Sequence, residues 1–149
     1  MIEKILTGHE IEFLINIIIC LIAGFLIGAE RESRGKSAGI STQSLVIGGA
    51  MMFTFISLIM DPNSPSRIAA QIVTGIGFLG AGIILKGKKG KITNLTTAAS
   101  IWFSASIGMA IGFKWYLIAI IAVLYSLIVP RIPHVSSFYK KKNKNSKIN

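Results

Sequence analysis

The chain has 149 residues, of which 52% are hydrophobic and only 15% charged, with a formal net charge of +10. A soluble domain carries about 25% charged residues, so so apolar a chain has too little polar surface to cover a water-soluble core, and it has too much apolar surface for its body to be disordered. The single cysteine, Cys20, excludes an internal disulfide framework and a cysteine-only metal cluster.

Long apolar runs dominate the chain order. Residues 11–29 form a 19-residue run whose one charge, Glu12, stands at its start. Residues 40–60 (21 residues) and 68–85 (18 residues) carry no charge, nor do residues 95–113 (19 residues) and 115–129 (15 residues). About 20 mainly apolar residues are needed for a helix to cross a bilayer core. Four runs meet that length, and the fifth borrows from Ile132 beyond Pro130 or crosses thinly. Strands of a membrane barrel would alternate in polarity, whereas helices satisfy their own backbone in lipid. The expected fold is all-α: a polytopic membrane bundle of five transmembrane helices over residues 1–133, then a lysine-rich, disordered tail over residues 134–149. Glu3 and Glu10 set against Lys4 argue against a cleaved signal peptide.

The basic residues map the topology. One side holds Arg31, Arg34 and Lys36, then Lys86, Lys88, Lys89 and Lys91, then the six of the tail from Arg131 to Lys147; the other holds only Lys4, Arg67 and Lys114. The positive-inside rule places the thirteen in the cytoplasm, the N-terminus outside and the C-terminus inside. Trp115 and Tyr116 beside Lys114 read as an interfacial anchor for the fifth crossing. The charge is therefore juxtamembrane. It lacks aromatic stacking platforms and does not point to nucleic acid; the tail is expected to meet anionic lipid.

Helices in lipid associate through small residues and interhelical hydrogen bonds. The first span carries Asn16, Cys20, Gly24 and Gly28 at steps of four, and the fourth carries Thr96, Ser100, Ser104, Gly108 and Gly112 at the same step. Each set forms one ridge and predicts a close helix contact, whereas Leu117, Ile118, Ile120, Ile121, Val123 and Leu124 of the fifth span read as lipid-facing. The third span contains Gly75, Gly77, Gly80 and Gly82. Its match to G-x-G-x-x-G lacks the strand and amphipathic helix of a dinucleotide site. It is expected instead to be a thin or bent helix at the bundle centre, with a broken helix lining a cavity as its functional version. A faint repeat at an offset of 52 relates Gly28-Ala29 to Gly80-Ala81 and Gly35-Lys36 to Gly87-Lys88. It fits a parallel duplication about the membrane normal, with chance agreement as the competitor.

A few polar residues need a reason beyond topology. Glu30 and Arg34 are an i, i+4 pair beside Arg31, either a solvated helix end or an ion pair held against the bundle. Ser64 and Pro65 read as N-cap and first position of the third helix. Arg67 then opposes the helix dipole and is expected to pair with Asp61, the one acid of that loop, while Gln71 a turn deeper needs a partner or a polar cavity. His9 and His134 stand beside no carboxylate. No nucleophile–base pair, zinc spacing or phosphate loop is present, and the acids do not cluster as magnesium ligands. No catalytic residue, metal site or cofactor is expected.

Gly28-Ala29-Glu30-Arg31 and Ala38-Gly39 resemble the first-loop signature of the MgtC/SapB family of bacterial membrane proteins. Arg67-Ile68-Ala69-Ala70-Gln71 running into Gly75–Gly82 resembles its most characteristic segment. Leu95-Thr96-Thr97-Ala98-Ala99 with Trp102 resembles its fourth-span motif. The resemblance covers roughly residues 14–112 and implies a multi-pass protein of the bacterial inner (plasma) membrane. It also implies a role in magnesium limitation and intracellular survival, exerted on membrane energetics or on partners such as the ATP synthase. Members often have Arg where this chain has Ser41 and Gly where it has Asn94. Asn is common in virulence-type members at the position of Thr96 and Cys at that of Phe103, and longer members carry a soluble domain past the spans.

Two functions follow as expectations. The first is a non-enzymatic regulator working through partner helices or self-association, its specific contacts carried by Glu30, Arg31, Arg67, Gln71 and the third-span glycines, with Arg34, Asp61, Thr96 and Thr97 as further polar candidates. The alternative is a small ion or solute transporter or channel with its cavity at the glycine-rich third span.

Overall fold

The computed structural model describes residues 8–86 and 92–132, side chains of 85 and 86 excepted. Five α-helices follow one another: α1 (Glu10–Ser33), α2 (Ile40–Met60), α3 (Ser66–Ile83), α4 (Leu95–Gly112) and α5 (Tyr116–Ile128). Among the described residues, the one strand pairing is a minimal antiparallel hairpin between α3 and α4, β1 (Leu85–Lys86) paired with β2 (Ile92–Thr93). The third helix therefore stops two residues short of the apolar run. The lysines at 88, 89 and 91, the repeat partner Gly87-Lys88 and the lysine-rich tail lie outside the described residues.

Four helices, α1 to α4, are long and apolar enough to cross a membrane. At 1.5 Å per residue the 18 residues of α3 and of α4 reach about 27 Å, close to a bilayer's hydrocarbon thickness. The 13-residue α5 reaches about 20 Å, and a 3-10 turn over Val129–Arg131, with Pro130 inside it, extends the same apolar segment.

Helix α2 sits between α1 and α4. Cys20, Ala23 and Ile27 of α1, Ile47, Met51 and Phe55 of α2, and Ile107, Ala110 and Ile111 of α4 form one buried cluster, closed at its side by Ala119 and Val123 of α5. A second cluster joins Val46 and Ala50 to Ile101 and Ala105, and α3 leans on it through Ile72, Ile76 and Ile83. The outward faces of α1 and α5 expose Leu14, Ile18, Leu21, Phe25, Leu117, Ile121 and Leu124, an apolar belt far larger than a soluble monomer leaves uncovered.

Two helix ends carry the same stop signal. At α1 the Lys36 N–H donates to Arg31 O and the Gly35 N–H to Glu32 O, with Gly35 at φ +61°; this is the Schellman arrangement that glycine favours. At α4 the Trp115 N–H donates to Ala110 O and the Lys114 N–H to Ile111 O. There the left-handed residue is Lys114, at φ +62°. Asn94, the N-cap of α4, is also left-handed at φ +64°. Asn tolerates that region because its side chain bonds locally, here Nδ2 to the Ile83 carbonyl at 3.4 Å. Asn94 thus keeps the backbone that glycine would hold at this position. Asn94→Gly is expected to fold like the parent, whereas Asn94→Ala should lose roughly 1–2 kcal/mol, read as a drop in unfolding midpoint in detergent.

The third span departs from expectation. α3 runs unbroken from Ser66 to Ile83, and it lies at the edge of the bundle, with Gly80 its only buried residue. The glycines fail to mark the centre because their spacing scatters them around the helix. Positions 75 and 82 lie on a different side of the helix from 80, Gly77 faces open space, and the inward line is made by Ile72, Ile76 and Ile83. Ser64 does not cap α3 either: Pro65 is the N-cap, with no side-chain bond to the helix.

Candidate functional site

The helix-packing residues divide cleanly. Gly24 faces the backbone of Ser44 and Gly28 that of Ile40, so the α1 seam meets α2. Gly108 faces the Ile47 carbonyl and Gly112 lies against Thr54 and the Met51 carbonyl, so the α4 seam also meets α2. Gly80 stands in ordinary contact with Ala98, 3.7 Å from an ideal Cβ. Gly75, Gly77 and Gly82 face open space.

These close contacts enclose a polar cluster at the α1–α2 turn. Arg31 is only 3% exposed. Its Nε donates to the carbonyls of Ser37 (3.0 Å) and Ala38 (3.1 Å), and Nη2 donates to Ser37 O (2.7 Å) and to Thr97 Oγ1 of α4 (2.8 Å). The planar guanidinium suits such a fork. Ala38 is left-handed at φ +62°, and its carbonyl also accepts from Gln43 Nε2 at 3.2 Å, so two donors from two helices hold a strained turn. Gln43, wholly buried, also donates to Ser100 Oγ (3.1 Å) and accepts from Ser104 Oγ (2.5 Å). Three helices are thereby joined by one hydrogen-bonded chain.

Beside it, the Glu30 carboxylate is 5% exposed and pairs with Arg34 at 3.1 Å and with Arg131 at 3.8 Å. The pair is held against the bundle, and through Arg131 it ties the end of α5 to α1. Glu32 accepts from the Ile40 N–H at 2.9 Å, placing a carboxylate at the N-terminus of α2, where the helix dipole favours it. Thr97 belongs to the cluster, while Thr96 lies on the exposed side of α4.

At the opposite end Lys114 pairs with Glu12 at 2.7 Å. That hydrogen bond raises the Lys114 pKa above its ordinary value, so the tie is complete at neutral pH and fades only as pH climbs through the raised value. Tyr116 donates to Asn16 Oδ1 at 3.0 Å, and Asn16 Nδ2, fully buried, has no partner among the described residues. Asp61, Arg67 and Gln71 line one cleft of about 420 Å³ between the end of α2 and the start of α3. The expected Asp61–Arg67 ion pair does not form: among the described residues Arg67 joins no salt bridge. Loop proximity brings the two charges to one cleft without closing them on each other. No group of three or more His, Cys, Asp or Glu placed to hold a metal occurs among the described residues.

Gln43 and Ser37 were not apparent as site residues from sequence. The signal for Gln43 is its place as an amide inside an uncharged span, where a polar group needs an interhelical partner. Ser37 contributes its carbonyl, which side-chain identity does not reveal.

Of the family-level departures, Phe103 packs at a tilt against Tyr125 with ring centroids 5.3 Å apart, an α4–α5 contact, and Ser41 lies exposed at the start of α2.

The MgtC family profile matches residues 17–135. Protein MgtC of Salmonella typhimurium is 45% identical over 122 residues, covering 80% of this chain and 52% of the relative. The Escherichia coli K12 protein named "Putative magnesium transporter YhiD" is 43% identical over 143 residues, 90% of this chain and 66% of its own length. Protein MgtC of Brucella abortus is 44% identical over 109 residues, 72% of this chain and 45% of the relative. The chain thus spans about half the length of the Salmonella and Brucella relatives. No solved structure matches it. With 119 of its 149 positions inside the family profile and this identity to its relatives, the chain belongs to the MgtC family.

Proposed function

We propose that the chain is a non-enzymatic regulator in the bacterial plasma membrane. It crosses five times with its N-terminus outside and adjusts membrane energetics or a partner membrane protein during magnesium limitation or intracellular stress. The observation that carries this reading is the outward face of α3. Ala70, Thr74, Gly77 and Ala81 recur at helical spacing and are all exposed, so a stripe of small side chains runs along a peripheral helix, with Phe78, 85% exposed, standing beside it. On α5, by contrast, the exposed face is Leu117, Ile118, Ile120, Ile121 and Leu124. Bulky aliphatics suit lipid, whereas small residues let a second helix approach closely. The occupant is a helix of a partner such as the ATP synthase, which the family resemblance suggests, or of a second copy.

The transporter alternative draws on the cleft at Asp61, Arg67 and Gln71 and on the printed name of the E. coli relative. Two measurements separate them. A photo-crosslinking residue at 77 or 81 should capture a defined membrane protein in native membranes, while one at 118 or 121 gives lipid adducts only. Gly77→Leu, whose Cβ would meet nothing within 4 Å, should abolish the capture. Equal capture from both helices would overturn the docking face. Magnesium flux above that of empty liposomes would establish the transporter instead.

A further inference from the structure

The cleft holding Asp61 and Arg67 adjoins a second cavity, with which it shares two lining residues. Below it, between α2 and α3, runs an apolar groove of about 490 Å³, a size typical of ligand sites. Ile68 and Gln71 line both. The groove exists because Gly49 on α2 and Gly75 on α3 carry no side chain into it; a Cβ at either would meet nothing within 4 Å. The upper cleft adds polar groups, Ser57, Asp61, Ser64, Arg67 and Gln71, to an apolar wall of Met60 and Ile68. Arg67 has no ion pair among the described residues, and the N-terminus of α3 lacks a side-chain cap. Ser57 Oγ on the cleft wall is buried, with its residue 1% exposed, and has no hydrogen-bond partner among the described residues. A cation and a carboxylate that share a cleft without pairing leave room for a dipolar group between them.

We propose that this composite cavity binds one phospholipid with a phosphoethanolamine headgroup. The phosphate lies against Arg67 and the start of α3, where the helix dipole favours an anion. The primary ammonium donates to Asp61 and to the orphaned Ser57 hydroxyl. An acyl chain follows Ile68 and Gln71 down into the groove opened by Gly49 and Gly75. The loop charges assign this end of the bundle to the outer leaflet. The site is distinct from the small-residue face of α3 at Ala70, Thr74, Gly77 and Ala81, so either can fail without the other.

The test is native mass spectrometry of the full chain released from nanodiscs containing equal parts of phosphatidylethanolamine, phosphatidylglycerol and phosphatidylcholine. The parent should retain one phosphatidylethanolamine in preference to both others, since glycerol offers no cation for Asp61 and choline no N–H donor. Arg67→Gln should lower that retention about tenfold, the weight of one charge-assisted hydrogen bond. Asp61→Asn should bring the three lipids towards parity. Gly75→Leu, whose Cβ would meet nothing within 4 Å, should remove the bound lipid while the circular dichroism stays parental and thermal unfolding does not fall below the parental midpoint. Equal retention of the three lipids by the parent would overturn the proposal, as would unchanged retention in Gly75→Leu. Displacement of the lipid by inorganic phosphate or glycerophosphoethanolamine as readily as by the lipid itself would assign the cleft to a soluble phosphate compound. Loss of a dimer in Gly75→Leu, with no lipid on the parent, would assign the groove to a second copy.

Discussion

Gly108→Ala should cost the bundle about 1–3 kcal/mol, the usual penalty for overpacking a tight contact. The sign is informative because the intrinsic effect runs the other way: alanine is favoured over glycine in a helix by about 0.8–1.0 kcal/mol. The added Cβ would meet the Ile47 carbonyl oxygen, with Ile47 C and the Ala50 side chain each 2.9 Å away. Two of those atoms are backbone, so no rotamer change relieves the contact, and α2 and α4 must part. That separation would also lengthen the Gln43–Ser104 bond on the same face. The control is Gly75→Ala, where the new methyl meets nothing and only the propensity gain of up to about 1 kcal/mol remains. Unfolding in detergent, followed by circular dichroism or tryptophan fluorescence, should move in opposite directions for the two variants. Equal shifts would mean that α4 does not approach α2 through this glycine.

The contrast shows what was legible in the sequence and what was not. Apolar run length located α1, α2, α3 and α4 to within a few residues, because a helix that must satisfy its own backbone in lipid leaves a long uncharged stretch. The α1 and α4 seams were legible because their small residues recur at steps of four and so share a face. That both seams meet α2 was not. The contact side of α2 mixes Gln43 and Thr54 with Ile47 and Met51, and a helix that carries bulky apolar residues on its other faces as well advertises no preferred face. α3 was misplaced for the opposite reason: its glycines are dense but not in phase, and density without phase does not define a contact.

The polar residues divide along the same line. Glu30 and Arg34 were legible as a pair because helical spacing alone brings them together. The partners of Arg31 are backbone carbonyls of a turn and a hydroxyl 66 residues away, which no local pattern encodes. Asp61 and Arg67 were close in sequence, yet the turn between them leaves them apart.

The second large effect lies in the buried cluster. Arg31→Met keeps a long side chain but removes every donor, leaving Ser37 O without its guanidinium and Thr97 Oγ1 without its link to α1. A buried polar group left unsatisfied costs about 1–3 kcal/mol, and more than one is affected here, so the loss should be on the order of 3 kcal/mol. Arg31→Lys should fall between, because one ammonium cannot reproduce a fork that reaches two carbonyls and a hydroxyl. Gln43→Leu strands the Ser104 hydroxyl in the same way. Removing both partners at once is far milder than removing one, so Gln43→Leu combined with Ser104→Ala should recover part of the stability lost by Gln43→Leu alone. Arg31→Met and Thr97→Val should likewise be less than additive, since each breaks the same bond. Strict additivity in both cycles would mean that the cluster is a set of independent contacts. Sub-additivity is the expected result, because the Ala38 carbonyl accepts from Arg31 and Gln43 together, and the left-handed turn it belongs to stays in place only while α1 and α2 both hold it.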